Sequence, residues 1–78
     1  MLLAPRIESD PEICGGRPCI QGTRFEITYI LQWLEEGKSF EEILDAYPFL
    51  TVEDIKAAIS YARFVIERED VTSIEMAT

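Results

Sequence analysis

The side chains of this 78-residue chain that could do chemistry are two cysteines, Cys14 and Cys19, several carboxylate runs and a few arginines beside glycine turns; there is no histidine. Without an imidazole, no side chain titrates near neutrality at its ordinary pKa. No serine or cysteine has a visible base partner, so hydrolytic arrangements built on histidine are excluded. Two thiols cannot complete a tetrahedral zinc site without carboxylates or a second chain, so neither a metal nor a cofactor is expected. The cysteines flank a presumed turn; in a reducing compartment they read as packing thiols, with a bridge across the turn as the alternative. Glu35-Glu36 and Glu41-Glu42-Asp45 offer an acid and a base on paper, yet they fall at helix ends and outer faces, where solvated carboxylates are ordinary. The glycine segment is not a phosphate loop: it lacks a Gly-Lys-Ser/Thr ending and has five rather than four residues between Gly16 and Gly22. The chain is therefore expected to be no enzyme.

What remains is charge. The net charge is −8, which repels phosphate backbones and anionic lipid and favours encounter with a basic protein. It is unevenly spread. Residues 1–24 hold Arg6, Arg17 and Arg24 against Glu8, Asp10 and Glu12, whereas residues 25–78 hold four basic groups against twelve acidic ones. Arg17 and Arg24 are candidates for contacting a phosphate or a partner's carboxylate, with solvation or internal pairing as the alternative.

The elements that position these groups can be read from spacing. With 47% hydrophobic residues the chain is globular, but a domain this short buries only about 60% of the surface its unfolded form exposes, so pairing with another copy, most simply as a homodimer, is expected. No apolar run is long enough to span a membrane and the first residues lack a secretory core, so a cytoplasmic location is expected by default. Turn signals at Asp10-Pro11, Gly15-Gly16-Arg17-Pro18 and Gln21-Gly22 punctuate brief apolar pieces around Ile7, Ile13, Ile20 and Phe25, predicting a short hairpin over about 6–26. Pro18 lacks a ladder donor, so its strand lies at an edge open to self-association.

A helical period follows. Ile27, Ile30, Leu31 and Leu34 share one face until Gly37 caps the end, with Trp33 off the stripe. Ser39 and Glu42 form a capping box ahead of Phe40, Ile43, Leu44 and Tyr47, and Pro48 stops that helix. Thr51 caps a third helix with Asp54, while Leu50 and Ile55 occupy staple positions. Ile55, Ile59, Ala62 and Ile66, broadened by Ala58 and Val65, predict a buried stripe to about Glu69. Residues 1–69 thus form one domain, with helices over about 27–69, and residues 70–78 form a loose tail. The link Pro48-Phe49-Leu50 matches helix-turn-helix spacing, as does an ordinary three-helix packing. On the third helix Lys56, Ser60 and Arg63 are the residues available to DNA or a partner, although Glu53 and Asp54 at its start would confront phosphates.

The run Asp10-Pro11-Glu12-Ile13-Cys14-Gly15-Gly16-Arg17-Pro18-Cys19-Ile20-Gln21-Gly22-Thr23-Arg24 resembles the signature of a bacterial and archaeal family catalogued as domain-of-unknown-function family number 433. Gly37-Lys38-Ser39-Phe40-Glu41-Glu42-Ile43-Leu44, Tyr47 to Ile55 and Ala57 to Ala62 agree, so the likeness covers about Ile7 to Arg68. The resemblance implies a mainly α fold: a short N-terminal β-hairpin followed by a three-helix, homeodomain-like helix-turn-helix bundle. It further implies an antitoxin, of the VapB-like type, in a toxin–antitoxin pair whose toxin is a PIN-like nuclease. The expected function is thus a non-enzymatic module neutralising a basic, nuclease-like toxin, with a DNA-binding regulator of its own operon as the alternative. Arg17, Gly22, Thr23, Arg24, Lys56, Ser60 and Arg63 are the candidate contacts, and Val71, Ile74 and Met76 in the tail are candidate toxin-binding positions.

Overall fold

The computed structural model describes residues 1–68. The N-terminal part is a three-stranded antiparallel sheet, β1 (Leu2–Ala4), β2 (Ile7–Glu8) and β3 (Cys19–Ile20), in the order β1-β2-β3. This corrects the expected single hairpin over 6–26: the sheet gains β1, which folds back on β2 through the two-residue Pro5-Arg6 turn, pairing Ala4 with Ile7. Arg6 takes φ 70° there, a conformation that glycine adopts freely and that costs another residue about 1–2 kcal/mol, so no glycine marks the turn in the sequence. Ile7, fully buried, pairs with Ala4 on one side and Ile20 on the other.

Between β2 and β3 the Asp10 carboxylate accepts the Glu12 N–H and the Asp10 carbonyl accepts that of Ile13. A single left-handed turn follows, with Cys14, Gly15 and Gly16 at φ 54°, 63° and 86°. The Arg17 N–H closes it on the Cys14 carbonyl, and the Ser9 hydroxyl ties it to β2 through the Gly16 carbonyl at 2.6 Å. β3, which follows Pro18 directly, is an edge strand, but its outer side is engaged: Cys19 bridges Glu26, Ile20 N–H donates to the Phe25 carbonyl and Ile27 N–H to that of Pro18.

Three helices complete the fold, α1 (Ile27–Glu35), α2 (Phe40–Ala46) and α3 (Val52–Arg68). At the end of α1 the Gly37 N–H bonds the Leu34 carbonyl and the Lys38 N–H that of Trp33, with Gly37 at φ 90°; this is a Schellman cap, which glycine alone enters without steric cost. Ser39 and Glu42 form the reciprocal capping box of α2. Thr51 and Asp54 do the same for α3, the Thr51 Oγ1 accepting the Asp54 N–H and the Asp54 carboxylate accepting the Thr51 N–H. The α2–α3 link covers residues 47–51, and the Leu50 N–H closes a turn on the Tyr47 carbonyl.

Ile7, Ile20, Ile27, Ile30, Ile43, Leu50, Ile55 and Ala58 form one core shared by sheet and helices. The predicted stripe of α3 is buried only in part: Ile55 and Ala58 are covered, Ala62 and Val65 are half-buried, and Ile59 and Ile66 stand 40% and 58% exposed. Periodicity identifies the apolar face of a helix; how far the neighbours reach decides how much of it is covered. Among the described residues no helix is long and apolar enough to cross a membrane.

Candidate functional site

The candidate residues fall into two groups. In the first, Ile20-Gln21-Gly22-Thr23 is a turn closed by the Thr23 N–H on the Ile20 carbonyl at 3.0 Å, with Gly22 at φ 81° in the third position, as a type II turn requires. The Gly22 N–H donates to Glu8 Oε1. The Thr23 hydroxyl donates to the Ile20 carbonyl at 2.7 Å and accepts the Phe25 N–H at 3.0 Å. Gly22 and Thr23 are thereby occupied in aiming the chain from β3 into α1. Arg24 is exposed, its carbonyl accepts the Cys14 thiol at 3.0 Å, and its guanidinium has no hydrogen bond or ion pair among the described residues. Arg17 pairs with Glu26 at 3.5 Å, and the two rim a cleft of about 250 Å³ whose floor includes Ile27 and Leu31.

Both cysteines are free thiols. Cys19 is buried and donates to the Arg17 carbonyl at 3.3 Å; burial, then the neighbouring Cys14 thiol, push its pKa up to about 12. Among the described residues no three or more of His, Cys, Asp and Glu gather as a metal site would need.

The second group lies on α3. Lys56, Ser60 and Arg63 are all exposed, and their spacing of four and three puts them on one outward face. Arg63 is partly neutralised by Glu67, 3.6 Å away. Asp54 does not confront solvent as expected. It is 6% exposed and its carboxylate meets the Arg6 guanidinium at 3.2 Å, which removes one of the two acids at the helix start from any docking surface. Beside this pair a groove of about 590 Å³ runs between the Leu3-to-Arg6 turn and the side of α3 carrying Ala57, Ser60 and Phe64, with Lys56 and Glu53 on its rim. No hydrogen bond or ion pair among the described residues joins the two groups directly. Their nearest link is the Gln21 N–H, which donates to the Arg6 carbonyl at 2.7 Å. Val71, Ile74 and Met76 lie outside the described residues.

One surface escaped the sequence reading. Phe25, Tyr29 and Trp33, from the entry and first turns of α1, meet Tyr47 and Phe49 of the α2–α3 link in a chain of ring contacts. Trp33, off the apolar stripe, is half-buried with its ring 5.4 Å from that of Tyr47. The spacing of four between Phe25, Tyr29 and Trp33 is the signal that could have revealed a second, aromatic stripe on α1; that the link closes over it is visible only in the fold.

Comparison with known proteins places these features in context. A crystal structure of a DUF433 member protein from Anabaena variabilis ATCC 29413 superposes with a TM-score of 0.74 at 33% identity, over 85% of this chain and 65% of that one. The uncharacterized protein y4eO of Sinorhizobium fredii is 38% identical over 56 residues, 72% of this chain; the match spans only 25% of that longer protein. The family described as "Protein of unknown function (DUF433)" matches residues 7–62, from the buried isoleucine of β2 to the middle of α3, and the chain belongs to that family.

Proposed function

We propose that this protein is a non-enzymatic binding module, the antitoxin of a type II toxin–antitoxin pair that neutralises a basic, PIN-like nuclease. One observation carries the reading: the acids of the helical part, Glu35, Glu36, Glu41, Glu42, Asp45, Glu53 and Glu67, are all exposed, while the one buried acid, Asp54, is spent on holding α3 to the sheet. An acidic shell on a small scaffold speeds and orients encounter with a cationic protein. Pairing of two copies fits the same role, since the core is thin. The experiment is co-purification with the product of the adjacent gene and a nuclease assay on mixing. A stoichiometric complex that silences the nuclease is the expected result; no complex at micromolar concentration refutes the proposal.

A second reading is a DNA-binding regulator with a homeodomain-like helix-turn-helix. The shared outward face of Lys56, Ser60 and Arg63 on α3 favours it, and Asp54's withdrawal from the surface lessens the electrostatic cost. Binding to the promoter of its own operon would fall steeply with salt in proportion to the phosphates contacted. Absence of binding at low salt rules this reading out.

A further inference from the structure

Five rings form a chain in the order Tyr29, Phe25, Phe49, Tyr47 and Trp33, with Phe25 also meeting Tyr47, and centroids from 4.6 to 6.1 Å apart. Phe25, Trp33 and Tyr47 are half-buried and pack on the core, whereas Tyr29 and Phe49 stand 46% and 55% exposed. The Tyr47-Pro48-Phe49-Leu50 turn, closed by the Leu50 N–H on the Tyr47 carbonyl, sends Leu50 into the core and leaves Phe49 outside. Pro48 fixes its own φ near −65°, and the Phe49 ring makes T-shaped contacts with those of Phe25 and Tyr47, at 79° and 69°. Phe49 is thus held in place before any partner arrives, so little freedom remains to be lost on contact. Half-buried aromatics on a rigid scaffold are the residues that carry binding energy at protein interfaces.

The electrostatic surroundings select the occupant. Residues 25–68 hold seven exposed acidic against four exposed basic side chains; among the acids Glu36 directly follows α1, which carries Trp33, and Asp45 lies in α2 two residues before Tyr47. The face of an aromatic ring is itself negative, and guanidinium groups stack on it. We infer that the Tyr29–Phe49 aromatic surface is the docking site for an arginine-bearing segment of a basic protein partner. This deepens the antitoxin reading and rests on it for the partner's identity, but the chemistry of the surface stands by itself.

Trp33, the only tryptophan, sits within the ring chain and reports its occupancy by fluorescence. The test titrates the full chain with a deca-arginine peptide and with a deca-glutamate control at about 0.15 M salt, where long-range charge effects are screened. Deca-arginine is expected to change Trp33 emission saturably, and deca-glutamate to leave it unchanged. Tyr29→Ala combined with Phe49→Ala is expected to weaken binding about tenfold or more. Phe49→Leu, which keeps an apolar group but removes the ring, should weaken it in the same direction and guards against a folding defect in the double variant. Equal affinity of parent and variants for deca-arginine, or saturable binding of deca-glutamate, overturns the assignment. The adjacent-gene product separates the two claims: a complex with it formed equally well by the double variant refutes this site alone. A nuclease that binds neither protein refutes the antitoxin reading, while the peptide result still decides the surface.

Discussion

The Arg6 guanidinium lies 3.2 Å from the Asp54 carboxylate across 48 residues of sequence, joining the β1–β2 turn to the first turn of α3. Asp54 simultaneously caps its own helix by exchanging bonds with Thr51. One carboxylate therefore sets where the longest helix begins and where it meets the sheet. Arg6 pays for its part with a positive φ of 70°.

Substitutions at this pair should separate the two duties. Asp54→Ala is expected to cost about 2 kcal/mol, of which about 1 is the lost hydrogen bond from the Thr51 N–H and the rest the buried partner of an ion pair. Asp54→Asn keeps a capping oxygen and should cost about half as much. The Arg6 side chain is half-exposed, so its contribution is screened and Arg6→Ala should cost under about 1 kcal/mol. Arg6→Gly loses the same ion pair but relieves the backbone, and should be less destabilising than Arg6→Ala by up to about 1 kcal/mol. Urea denaturation measures all four; an Arg6→Gly chain weaker than Arg6→Ala would show that the turn is not strained.

The Gly22-Thr23-Arg24 motif divides into two structural residues and one available cation. A Cβ at Gly22 would meet nothing within 4 Å, so Gly22→Ala carries only the backbone penalty of φ 81°, about 1–2 kcal/mol. Thr23→Val removes two hydrogen bonds in a half-buried turn and is expected to cost about 1–2 kcal/mol. Arg24→Ala should alter stability by no more than about 0.5 kcal/mol. If Arg24→Ala nevertheless weakens partner or operator binding, its guanidinium belongs to the interface; a stability loss as large as that of Thr23→Val would assign it to the fold instead.

These contrasts show where local chemistry suffices and where it does not. The helix boundaries at Gly37, Ser39 and Thr51 were legible because each cap is a bargain struck among residues no more than four or five apart. Strand β1 was not, since three residues carry no periodicity and its turn uses Arg6 where a glycine would have signalled it. Ile59 and Ile66 belong to an apolar face that the sequence displays, but which of its residues the sheet and the other helices cover is a tertiary fact. The candidate cations Arg24, Lys56 and Arg63 were identifiable as surface groups; that Gly22 and Thr23 are consumed by a turn, and that Asp54 is hidden by Arg6, are tertiary facts. The aromatic surface likewise needs the α2–α3 link to fold over α1 before Phe49 reaches Phe25.

The two thiols should react unequally. Cys19 is buried, and burial, then the neighbouring Cys14 side chain, pushes its pKa up to about 12, so almost no thiolate forms there at pH 8. With a colorimetric disulfide reagent at that pH, the native chain should show one rapidly modified thiol, lost in Cys14→Ser, and the second only on unfolding. The linkage has a definite sign. Because the folded chain keeps a proton that the unfolded thiol releases at its ordinary pKa of about 8.5, this contribution is complete below that pH and declines as the pH rises toward 12. Two thiols modified at equal rates in the native state would contradict the burial of Cys19.

Glu42 titrates in the opposite sense. The Ser39 N–H donates to its Oε1 at 2.8 Å, and this bond, then the Ser39 hydroxyl, with Lys38 adding a smaller attraction, holds its carboxyl below the ordinary glutamate range. A lowered folded pKa favours the ionised form, so the stabilisation is present above the unfolded value of about 4.3 and disappears as acid brings the pH through the folded one. Glu42→Gln cannot follow that titration. Its stability deficit relative to the parent should be present at pH 7 and shrink as acid takes the pH below the unfolded value of about 4.3. Denaturation midpoints of the two proteins from neutral to acid pH measure it, and a deficit for Glu42→Gln that is constant with pH would mean that the Ser39 contact does not depend on the charge of the carboxylate.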